Sequence, residues 1–150
     1  MELRDILLFL HILGAAGWIG GGMFGAFGFG KLAAVGDQAS GKAMETIVEK
    51  ATPYFATVFL LVVVPGVALV LTQDQWGWGD TFVLVGIGGI VLSGIWQGLV
   101  AGKKDTAMVE ALASDSPDKE AAVKSWRQTN WVDLAILLVV LWAMVVKLGT

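Results

Sequence analysis

The 150-residue chain has one histidine, His11. It lies in an apolar run that carries no charged residue from Ile6 to Gly30. An ionisable side chain placed among lipid-facing residues costs free energy and needs a partner, so it marks a site. On a helix, Arg4, His11, Gly14, Trp18, Gly21 and Gly25 share one broad face. An imidazole beside small residues, with an arginine two turns away, has the parts that a b-type haem needs. These are a nitrogen for iron, room for a flat macrocycle and a cation for the propionates. Lys147, near the other end of the chain, is expected at the same membrane level and would be a second cation. Met144 would lie at a depth comparable to His11 and offers a second axial ligand; in a homodimer a second His11 could serve instead. A different reading stays open, in which His11 only hydrogen-bonds across a helix interface, worth roughly 1 kcal/mol. On that reading Trp18, Trp142 and Met144 are packing residues.

Other chemistries find little support. The chain has no cysteine, which removes disulfides, thiolate metal sites, iron–sulfur clusters and thiol nucleophiles. One histidine and scattered methionines make a poor copper donor set. No triad, phosphate loop or paired carboxylates can be read. A net charge of −3 with no basic stripe gives no nucleic-acid signature.

The elements that must position these residues are membrane helices. The chain is 56% hydrophobic and 15% charged, against roughly 25% charge in an average soluble domain. Its charges are segregated between long apolar runs. Spans are expected at about residues 6–30, 51–72, 81–101 and 131–147 of a single domain, with ~20 apolar residues enough to cross the hydrocarbon. The fold class is therefore all-α, a polytopic bundle of four transmembrane helices. The opening Met-Glu-Leu-Arg-Asp, followed by an apolar run past Phe24, does not read as a cleavable signal.

Orientation follows from the basic residues. Lys31, Lys42 and Lys50 attend the first connection, and Lys103, Lys104, Lys119, Lys124 and Arg127 the third. Only Arg4 and Lys147 remain for the other side, and the second connection, residues 73–80, has none. The bias predicts cytoplasmic first and third connections and both termini outside a bacterial inner membrane. Trp76 and Trp78 would mark the outer interface, and Tyr54, Trp126 and Trp131 the inner one. Ser116-Pro117-Asp118-Lys119-Glu120 reads as a helix start capped by Ser116, and residues 103–113 as an extension of the third helix, so helices should project into the cytoplasm. Pro65-Gly66 should kink the second helix. Gln97 reads as an interhelical hydrogen-bonding group, and Asn130 and Asp133 as headgroup-level polar residues, Asp133 solvated or salt-bridged. Gly17, Gly21 and Gly25, and again Gly94, Gly98 and Gly102, form ladders at four-residue intervals. Such grooves admit a helix of the same chain, a second copy, or a flat ligand.

The segment from Leu10-His11 to Trp18-Ile19-Gly20-Gly21 resembles the first helix of a loose set of bacterial membrane families. The set includes CopD-type copper-resistance membrane domains, four-helix haem-linked protoporphyrinogen oxidases, the membrane domain of cytochrome-linked urate oxidases, and a family of predicted integral membrane proteins of about this length. The last looks nearest, with a glycine in the second span, as at Gly66, and a closing Met-x-x-Lys, as at Met144 to Lys147. In the haem-linked members the motif histidine is thought to bind haem, and the resemblance implies that role for His11. The expectation is a membrane protein binding b-type haem in electron transfer or haem handling. The alternative is a cofactor-free accessory subunit docked in a larger membrane complex through its glycine faces.

Overall fold

The computed structural model describes residues 2–147, and all regular structure among them is helical. Four rods make up the chain: α1 (Leu3–Val35), α2 (Gln38–Thr72), α3 (Thr81–Ala113) and α4 (Lys119–Val146). Each is long and apolar enough to cross a membrane. The expected all-α four-helix bundle is what the chain forms.

The rods are longer than their apolar stretches. At ~1.5 Å per residue the 33 residues of α1 exceed the ~30 Å of hydrocarbon, so helix ends project. The projecting ends of all four helices meet in one cluster, with Ala33, Met44, Met108, Leu112, Val123 and Trp126 buried together. In water that cluster is held by the hydrophobic effect. A second cluster lies in the apolar spans, where Trp18 packs on Val58, Val62 and Leu137. There lipid is as apolar as leucine, and close contact and hydrogen bonds hold the helices instead.

Several boundaries differ from expectation. The first connection shrinks to Gly36 and Asp37. Gly36 takes the left-handed φ of 71° that ends α1, and Asp37 caps α2 by accepting the Ser40 N–H at 2.7 Å. Residues 38–50 are thereby the start of α2, ahead of the apolar span expected from 51. The α3 extension ends at Ala113, as read. Helix α4 begins at Lys119 and not at Ser116; Ser116 accepts the Asp118 N–H in the preceding turn. Pro53 and Pro65 both lie inside α2, and π-helical turns at Gly25–Phe29 and Gln97–Ala101 interrupt α1 and α3.

The bundle is assembled from two close seams, α1 on α2 and α3 on α4. In the first, a Cβ at Gly14 would sit 2.7 Å from the Leu61 carbonyl carbon, so the two backbones touch. In the second, Met144 fills the space over Gly86 and Val140 that over Gly89. The ladders therefore act in a different register from the one read. Gly14, Gly17 and Gly21 meet α2, while Gly25, Gly94 and Gly98 have no neighbour within 4 Å.

Candidate functional site

Helix α2 carries the receptor for His11. Pro65 has no N–H to give the Leu61 carbonyl, which loosens the helix ladder there. Gly66, one residue on, has no side chain, and a Cβ there would lie 2.9 Å from both Cε1 and Nδ1 of His11. The imidazole enters that gap and places Nδ1 2.8 Å from the Val62 carbonyl oxygen. A carbonyl only accepts, so Nδ1 donates, and in the neutral ring the lone pair is on Nε2. Among the described residues no buried side-chain nitrogen or oxygen lacks a partner, so Nε2, which has none, reaches the molecular surface.

The expected neighbours of His11 divide into three groups. Gly14, Trp18 and Gly21 are with it, but in a closed seam. Gly14 lies on the α2 backbone, a Cβ at Gly21 would be 2.8 Å from the Tyr54 ring, and Trp18 is buried and meets Phe59 edge-on. The Tyr54 hydroxyl donates to the Gly17 carbonyl at 2.7 Å and tightens the same seam. The glycine face is thus covered by α2 and leaves no slot for a macrocycle. Arg4 and Lys147 form a second group. Both lie over the Trp76 ring, at 6.0 Å and 5.4 Å from its centroid, so two cations converge at the end of the bundle that carries the termini. Met144 is apart from both, against Gly86 in the α3–α4 seam.

These residues fit a haem in one way only. Nδ1 bonded to a backbone carbonyl, with Nε2 exposed, is how a ligating histidine is usually held: the second nitrogen fixes the tautomer and ring plane. Arg4 is about 10 Å along the helix from His11 at ~1.5 Å per residue. A macrocycle on Nε2 could reach the Arg4–Lys147 pair only from outside the α1–α2 seam.

Sequence reasoning misjudged a second polar group. Asp133 is 6% exposed, neither solvated nor salt-bridged among the described residues. It accepts from Ser93 Oγ at 2.6 Å and from Gln97 Nε2 at 2.8 Å, both on α3, which fixes the register of the α3–α4 seam. Gln97 is the interhelical group expected, and it opens the π-helical turn of α3. The spacing of Ser93 and Gln97, one turn apart and opposite a lone span carboxylate, was the available signal. Trp126 is buried rather than interfacial, donating to Asp105 at 2.7 Å, and burial raises the Asp105 carboxyl above its usual range against the lowering effect of that bond.

Among the described residues, no group of three or more His, Cys, Asp or Glu side chains could hold a metal ion. Comparison with known proteins returns no match to a family model, a curated protein or a solved structure.

Proposed function

We propose that this protein is a membrane haem-binding protein in which His11 Nε2 ligates a b-type haem at the periphery of the bundle. The observation that carries the reading is the 2.8 Å contact between His11 Nδ1 and the Val62 carbonyl, which fixes the ring and leaves Nε2 for a ligand. Arg4 and Lys147, gathered at Trp76, would receive the propionates. Bound haem supplies one-electron chemistry, consistent with electron transfer or haem handling. Because Met144 is in the other seam, the sixth position would be taken by a second copy's His11 or remain open. A bacterial inner membrane, with the lysine-rich end in the cytoplasm, is the location that the charge bias favours. The test is the absorbance spectrum of protein purified in detergent. Wild type should show a Soret band that His11→Ala lacks; a colourless wild type, or a band unchanged in the variant, removes the proposal.

A second reading has its own observation. Gly88, Gly94 and Gly98 on α3 have nothing within 4 Å and are flanked by exposed Val91, Ile95 and Leu99. A face of that kind suits a cofactor-free accessory subunit held against another membrane helix. Co-purification of a stoichiometric partner without a chromophore would favour it; a stable coloured homodimer would not.

A further inference from the structure

At the lysine-rich end of the bundle a cleft of about 600 Å³ opens between the end of α1 and the first turns of α4, lined by Lys119, Lys124, Arg127 and Trp131 among others. Two of its cations are uncommitted. Lys119 is engaged, donating to the Asp115 carboxylate and to the Gly36 carbonyl. Lys124 and Arg127 are exposed and belong to no ion pair among the described residues. The stem of Arg127 is nonetheless placed: it runs over Gly30, where a Cβ would lie 3.4 Å from its Cγ and Cδ. Glu120 is the acidic group on the cleft wall. One turn from Arg127, Trp131 is 41% exposed and meets Phe27 edge-on at 4.7 Å, where the apolar part of α4 begins. Cations above, an amphipathic ring at the rim and bare apolar helix below is the order of groups in a phospholipid, from headgroup to acyl chain.

We propose that this cleft binds the phosphate of an anionic phospholipid, with Arg127 and Lys124 on the headgroup and Trp131 and Phe27 against the glycerol and upper chains. Arg127 offers a planar fork suited to two phosphate oxygens, and Lys124 a point charge. A free phosphate would meet the same cations but gain nothing from Trp131, and that difference separates the two sources of phosphate.

The test is native mass spectrometry of the full chain released from detergent, with dioleoylphosphatidylglycerol, dioleoylphosphatidylcholine or inorganic phosphate added. Phosphatidylglycerol should be retained and phosphatidylcholine lost, and equimolar inorganic phosphate should not compete. The double variant Lys124→Gln/Arg127→Gln should lower retention roughly thirtyfold, the worth of two cations beside an anionic headgroup. The charge-matched double variant Lys42→Gln/Lys50→Gln, altered at exposed lysines outside the cleft, should retain lipid as wild type does. Equal retention of the two lipids, displacement by inorganic phosphate, or equal losses in the two variants would overturn the proposal. Unchanged helical circular dichroism shows that the variants are folded.

Discussion

His11 and Val62 are joined across the α1–α2 seam by a single hydrogen bond from Nδ1 to the backbone carbonyl, 2.8 Å long. The bond exists because Gly66 leaves room for the ring and because the Val62 carbonyl has a second lone pair beyond the one used in the helix ladder. A helix with any other residue at 66 would press a Cβ onto the imidazole. Gly66→Ala should therefore displace the ring, weaken any chromophore and lower resistance to sodium dodecyl sulfate unfolding by about 1–3 kcal/mol, the usual cost of overpacking. An unaltered unfolding curve would show that the ring is not confined there.

The α1–α2 contact should be equally intolerant at Gly14, where the methyl of alanine would meet backbone atoms of Leu61 and Val62. Gly20, on the same helix, faces open space. Gly14→Ala should cost about 1–3 kcal/mol of unfolding free energy, and Gly20→Ala close to nothing. Equal effects of the two would contradict the seam.

Asp133 ties α4 to α3. Replacing it by leucine removes the acceptor for Ser93 and Gln97 and leaves two polar groups in an apolar setting, at about 1–3 kcal/mol for each unpaired group. Asp133→Asn keeps one acceptor oxygen and should lose less. Thermal unfolding followed by circular dichroism would rank wild type, then asparagine, then leucine. A leucine variant as stable as wild type would show that the cluster holds nothing together.

Asp105 gives a pH dependence with a defined sign. Burial raises its folded-state value above the ordinary 3.8 of an aspartate. Between the two values the folded state holds more proton than the unfolded one, so this group's contribution to stability grows as pH falls through the raised folded value toward 3.8 and is lost as pH rises. Asp105→Asn should remove that component, so wild type should gain melting temperature relative to the variant as pH is lowered from neutrality. A wild type that loses ground to the variant over that range would reverse the assignment.

Much of this is legible in the sequence. Uninterrupted apolar runs name the four helices. The Asp37 cap is also legible, since glycine, aspartate and a serine three residues on spell a stop and a start; the apolar span alone begins only at residue 51. What could not be read is which face each helix gives its neighbour. Glycines recur so often in α1 and α3 that several registers look alike, and only the coordinates show that Gly14 and Gly86 are filled while Gly94 is bare. Asp133 was misplaced for a related reason: near the start of an apolar run, a carboxylate reads as solvated until the serine and glutamine opposite are seen. The same packing closes the glycine face beside His11 and leaves Nε2 as the ring nitrogen without a hydrogen bond among the described residues.

Titration of detergent-purified protein with haemin, wild type beside His11→Gly with and without added imidazole, tests the role of that nitrogen most directly. Wild type should saturate at a fixed haem-to-chain ratio and give a histidine-ligated spectrum. His11→Gly should lose it, and free imidazole should restore it by filling the vacated position. Binding that is identical in the two proteins, or a variant that imidazole leaves unchanged, would contradict ligation by His11.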